Sequence, residues 1–131
     1  MYMLDTNICI YVLKNRSDQL RHKFKVIKDL CISVVTYAEL CFGIEHGRAE
    51  LKTRRWQQLE TFTGLLSIES LDAAVGRHYG RLRAHLQVRG KLIGNNDLFI
   101  AAHAQRLGAV LVTNNVREFA RVPDLSVENW L

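Results

Sequence analysis

The chain has 131 residues, enough for one compact domain with a real core and too few for two. Hydrophobic residues make up 48% and charged residues 24%, which excludes a disordered, collagen-like or low-complexity chain. Eighteen Lys and Arg against thirteen Asp and Glu leave a formal charge of +5, a modest bias toward polyanionic partners. The longest uncharged runs, such as Leu107 to Val116, are the size of a buried strand, so no membrane span is expected. The opening Met-Tyr-Met-Leu-Asp puts an acid where an export signal needs basic and then apolar residues. Cys9, Cys31 and Cys41 are odd in number, lie among apolar residues and show no metal-ligand spacing. They read as reduced core thiols of a cytoplasmic protein, not as zinc ligands or a disulfide frame.

Tyr2 to Leu4 reads as a strand ending at Asp5, and Thr6 to Leu13 as the helix that follows. Ser17 to Ile27 is a mostly polar second helix, and the β-branched run Leu30 to Val34 a buried strand. Thr36 to His46 fits a helix closed by Gly47, and Glu50 to Phe62 another. Leu65 to Ile68 reads as a short strand, Ser70 to Val88 as a long helix ending at Gly90, and Asn95 to Leu107 as a helix ending at Gly108. Ala109 to Val112 is a strand and Leu125 to Val127 an edge strand. Strands that alternate with helices and carry continuous apolar runs imply α/β architecture, with a parallel sheet covered on both faces. No repeat or linker interrupts residues 1–131, so one domain is expected.

The long helix carries three rows. Leu71, Val75, Tyr79, Leu82 and Leu86 form the apolar stripe. Gly76, Gly80 and Ala84 form a small row suited to close packing, either within the chain or against a second subunit. Arg77, Arg81, His85 and Arg89 form a basic row at four-residue steps. Two further basic clusters are Lys14, Arg16, Arg21, Lys23, Lys25 and Lys28, and Arg48, Lys52, Arg54 and Arg55; either can be a solvated helix face. Between Asp72 and Glu118 there are seven Lys and Arg and a single acid, Asp97.

Asp5 directly follows the first strand, Glu39 opens the helix after the second, and Asp97 opens the helix before the strand Ala109 to Val112, so each reads as standing at a helix start. Ligands of an open parallel sheet gather at the carboxyl ends of its strands, so these acids can converge on one crevice. Clustered carboxylates repel one another unless a cation neutralises them, and an all-oxygen set selects Mg²⁺ or Mn²⁺. Each acid alone has a plainer reading as a helix-start residue. Asp5 can cap the first helix, and Thr36-Tyr37-Ala38-Glu39 matches a capping box. Asp5-Thr6-Asn7 and Thr113-Asn114-Asn115 add polar groups that could orient a carboxylate or a water; Asn115 could equally cap a helix before Glu118.

Met3-Leu4-Asp5-Thr6-Asn7, the Thr36 to Gly43 segment with Glu39, Asn95 to His103 around Asp97, and Val112 to Phe119 together resemble PIN-domain ribonucleases, closely the VapC toxins of toxin–antitoxin modules. The resemblance spans essentially the whole chain. It implies a three-layer α/β/α fold, Mg²⁺- or Mn²⁺-dependent endoribonuclease activity, a homodimer, and neutralisation by a VapB-type antitoxin. It places Asp5, Glu39 and Asp97 at the family's acidic, metal-binding positions, and Asn115, with Thr113 beside it, at the fourth. Asn carries no charge and cannot act as a base, so Asn115 would position water or metal. Arg77, Arg81, Arg89 and Lys91 are the candidates for holding the RNA backbone.

Other classes remain open from the residues themselves. A receiver-type phosphoacceptor domain also gathers acids at strand ends, but it needs a late lysine and paired acids near its first strand. Here no lysine follows Lys91, and Asp5 stands alone. A nucleic-acid-binding module whose acids are only caps, and a housekeeping RNA-processing nuclease of the same fold, are further alternatives.

Overall fold

The computed structural model describes residues 1–15 and 17–131; Arg16 of the first basic cluster lies outside them. Strand β1 (Tyr2–Leu4) leads into α1 (Thr6–Leu13) and α2 (Asp18–Val26). Strand β2 (Leu30–Ser33) is followed by α3 (Val34–His46), a 3-10 turn (Ala49–Leu51) and α4 (Lys52–Thr63). Then come β3 (Ser67–Glu69), α5 (Ala73–Val88), α6 (Asn95–Leu107), β4 (Val110–Val112), the one-turn α7 (Val116–Phe119) and β5 (Val127–Glu128). The strands form one parallel sheet in the order β3-β2-β1-β4-β5.

Side-chain alternation along these short strands divides the core in two. Met3, Cys31 and Leu111 point to one face, where Val75, Leu82 and Leu86 of α5, Leu98 and Ile100 of α6, and Phe119 cover them. Leu4, Ile32 and Val112 point to the other, under Ile8 and Cys9 of α1, Leu20 of α2, Leu40 of α3 and Phe62 of α4. The result is the three-layer α/β/α arrangement that the strand–helix alternation calls for. Cys9, Cys31 and Cys41 are all free thiols. Among the described residues, no helix is long and apolar enough to cross a membrane.

Several boundaries differ from the sequence reading, each for a local reason. Helix α3 begins at Val34, because the Ser33 hydroxyl accepts from the Val35 amide at 3.2 Å and ends β2 there. The Thr36 to Glu39 capping box therefore does not form; Thr36 is buried inside the first turn instead. Helix α5 starts at Ala73, where Asp72 in extended backbone accepts from the Val75 amide at 2.9 Å. Strand β3 starts only at Ser67, because Leu65 and Leu66 are still bonded to the Phe62 and Thr63 carbonyls of α4. Gly90 and Gly108 do end their helices in the left-handed region, at φ 64° and 67°. The Gly76 and Gly80 row of α5 faces open space, which rules out close packing of these glycines within the chain.

Candidate active site

Chain connections leave β1 toward β2 and β3 on one side and return to β4 and β5 on the other, so the topological switch lies between β1 and β4. Asp5 follows β1 and Thr113 follows β4, and the Asp5 amide donates to the Val112 carbonyl at 3.0 Å. Asp5 is buried at 3% exposure and caps α1, accepting from the Ile8 amide at 2.9 Å. Burial raises its carboxyl above the usual range; the Thr113 hydroxyl and the Ile8 amide oppose that rise, and the Glu39 charge adds to it. Capping and membership of a carboxylate cluster thus coexist in this one residue.

Glu39 sits in the second turn of α3 and not at its start. The Thr6 hydroxyl, one residue past Asp5, donates to Glu39 Oε1 at 2.7 Å and lies 3.3 Å from the Thr36 hydroxyl. Helix α1 therefore presents one acid from its cap and holds a second acid through its first residue.

Asp97 occupies the first turn of α6, after Gly94, which offers no side-chain cap. Its carboxyl is pushed up to about 7, first by burial, then by the charge of Glu118 and a hydrogen bond to it, and further by Asp5 and Glu39. Glu118 is the crevice acid the sequence reading did not single out. It lies on one-turn α7, where its Oε1 accepts from the Gly94 amide at 3.2 Å and its Oε2 from the Asn115 side-chain amide. The signal was topological: β4 flanks the switch point, so the whole polar stretch after it returns to the crevice, out to Glu118.

Asn115 stands at the N-cap position of α7 without capping it; its side chain is committed to Glu118. The expected cap is therefore absent, and Asn115 reaches the crevice through the acid it holds. Thr113 is buried, and its hydroxyl oxygen accepts from the Asn115 amide at 2.9 Å. Asn7 and Asn114 are exposed.

Among the described residues, none of Asp5, Glu39, Asp97 or Glu118 is in an ion pair. Nor do any three Asp, Glu, His or Cys side chains, as placed, form a ready metal-ligand set. What the crevice holds is a group of carboxylates in which burial and neighbouring acids raise Asp5 and push Asp97 up to about 7, so that Asp97 retains a proton. Its donors are all oxygen, the chemistry that suits a hard divalent cation exchanging for that proton.

The RNA-backbone candidates separate. Lys91 is exposed on the α5–α6 loop, which runs to Gly94 at the crevice. The Arg89 guanidinium bonds its own helix at the His85 carbonyl, 2.9 Å away. Arg77 and Arg81 line depressions beside Gln105 of α6 and not the crevice.

The PIN-domain family matches residues 2–125 of this chain. Ribonuclease VapC2 of Haemophilus influenzae is 44% identical over 131 residues, covering 99% of this chain and 98% of that protein. The tRNA(fMet)-specific endonuclease VapC of Shigella flexneri is 40% identical, covering 98% and 97% respectively. The crystal structure of Rickettsia felis VapBC2 bound to a promoter DNA fragment contains a chain that is 38% identical, with a TM-score of 0.94 and coverage of 99% and 98%. A match of this extent, on a sheet whose switch point gathers the acids, does not fit a receiver domain. The chain belongs to the PIN-domain family and, within it, to the VapC ribonucleases.

Proposed function

We propose that the crevice hydrolyses RNA phosphodiester bonds internally and depends on Mg²⁺, with Mn²⁺ as a substitute. The carrying observation is the set of carboxylates without a cationic partner among the described residues, with Asp97 held near neutrality by burial and Glu118. Asp5, Asp97 and Glu39 would hold the ion, Asp5 and Asp97 as the principal ligands and Glu39 through water. The ion supplies Lewis acidity toward water and positive charge opposite the scissile phosphate.

The chain's own groups do the rest. Asp5 is fixed by its cap bond to Ile8, so its carboxylate reorients little when substrate arrives. Glu39, oriented by Thr6, accepts the proton of the attacking water as its oxygen joins phosphorus; the ester P–O bond breaks, its electron pair goes to the leaving ribose oxygen, and that oxygen takes a proton from solvent. Asn115 holds Glu118 against the α6 N-terminus, which keeps the fourth acid beside Asp97. Asn substitution at Asp5 or Asp97 removes charge but keeps a good helix-start residue.

The relatives' VapBC complexes support a VapB-type antitoxin as partner and a toxin role in a toxin–antitoxin pair. The Shigella flexneri relative's name makes a tRNA the first substrate to try. Residues 1–131 act as one PIN unit in this reading, working in the cytoplasm and pairing with a second copy. Purified protein with Mg²⁺ should release discrete RNA fragments that sequencing places at internal sites. Fragments that persist after EDTA, or with Asp97→Asn protein, would refute the assignment. Expression that arrests growth, relieved by the antitoxin, separates the toxin from a housekeeping nuclease.

A further inference from the structure

A groove of about 480 Å³ lies between α5 and the segments just before β4 and β5, lined by His78, Arg81, His85, Gln105 and Asp124 among others. Gly108 and Ala109 before β4, and Ser126 before β5, place it at the amino ends of these strands. The acids occupy the carboxyl ends, so groove and crevice sit at opposite edges of a parallel sheet. A second depression shares His78, Arg81 and Gln105 and extends the surface to Arg77 and Arg106.

Arg77, Arg81 and Arg106 make no hydrogen bond or ion pair with any described residue. Among the other described arginines, Arg21 and Arg48 pair with Asp18 and Glu50, and Arg83, Arg89 and Arg121 bond Tyr79 and the His85 and Leu92 carbonyls; Arg54, Arg55 and Arg117 are unpaired too, but none of them joins a groove with other free arginines on two helices. The floor of the groove is fixed, since His78 bonds Gln105 and Gln105 donates to the Pro123 carbonyl at 2.6 Å. Asp124 is the one carboxylate on the lining, against Arg77, Arg81 and Arg106 and the two imidazoles.

We propose that this groove is a second phosphate-binding surface that grips a folded RNA arm while the crevice cuts another part of the same molecule. It rests on the ribonuclease reading above. Free guanidiniums spread over two helices suit successive phosphates of a polyanion better than one small anion. From Asp97 to Gln105 is about 12 Å along α6, the rise of about four stacked nucleotides, and the path must also pass around the sheet edge. A strand of about four nucleotides centred on the crevice extends only about two to either side and falls short of the groove; a folded RNA spans both.

The test compares a tRNA with a four-nucleotide single strand carrying the same cut site at its centre, using wild-type protein and the Arg77→Ala/Arg81→Ala variant. The variant should raise KM for the tRNA about tenfold with kcat kept, and lower the salt slope of tRNA binding by about 2. Cleavage of the short strand should be unchanged, and Arg77→Lys/Arg81→Lys should restore the salt slope. Both positions are exposed, and circular dichroism checks that each variant is folded. An unchanged KM and slope for the tRNA overturns the proposal. So does equal loss on both substrates, or weakened antitoxin binding with tRNA kinetics intact, which would make the groove a protein interface. If wild-type protein cuts neither RNA, the ribonuclease reading fails, and the salt slope of tRNA anisotropy alone then decides for or against the groove.

Discussion

Asp97 and Glu118 come from different helices, one before β4 and one after it, yet both carboxyls reach Gly94: Glu118 accepts from its amide at 3.2 Å, and Asp97 Oδ2 flanks the same glycine. Burial and this neighbour hold the Asp97 carboxyl at about 7, so the metal-free protein carries a proton there through most of the acidic range.

The sign of the stability effect follows. The folded state binds the Asp97 proton more tightly than the unfolded chain, whose aspartate titrates near 3.9. Stability should therefore fall as pH rises from about 4 to about 7. Asp97→Asn should flatten this dependence and raise Tm at pH 7 in EDTA. Thermal melts at half-unit pH intervals check it, and a wild-type Tm that climbs across this window would contradict the assignment.

Asp5→Asn should keep the fold, because Asn caps α1 through the same Ile8 amide. Cleavage should drop by at least about 100-fold. Circular dichroism and single-turnover cleavage read the two outcomes separately.

Thr6→Val removes the hydroxyl that holds Glu39, at a position already half-buried beside Thr36. The loss should fall mainly on kcat, by about 10–100-fold, as for a group that orients a metal-site carboxylate. Thr6→Ser should restore most of it. A Thr6→Val enzyme with normal kcat would free Glu39 of this dependence.

Two glycine substitutions should move stability in opposite directions. Gly80→Ala, on the open face of α5, should stabilise by about 1 kcal/mol through helix propensity. Gly108→Ala, at φ 67°, should cost about 1–2 kcal/mol. Urea titrations check both, and a destabilising Gly80→Ala would mean that a second copy packs on that row.

Much of the fold was legible because its signals are local. Apolar runs such as Leu30 to Ile32 marked the strands, Gly90 and Gly108 closed their helices, and Asp5 and Asp97 stood at segment starts. Ser33 won the α3 cap from Thr36 because both are hydroxyl residues beside the same boundary, and strand pairing with β3 through Ser33 and Glu69 fixes which comes first. Glu118 escaped notice because a one-turn helix has no periodicity to read, and its partners Gly94 and Asn115 are joined only by the tertiary fold. Arg77 and Arg81 were readable as a row, but the edge of the sheet they face depends on how α5 lies against α6.

Calorimetric titration of the metal-free protein with Mn²⁺ at pH 6.5, in two buffers of different ionisation enthalpy, tests the carboxylate cluster most directly. Saturable binding with release of close to one proton per ion, lost in Asp5→Asn and Asp97→Asn, is the predicted result. Binding that is absent, or that both variants retain unchanged, would mean that these acids do not form a cation site.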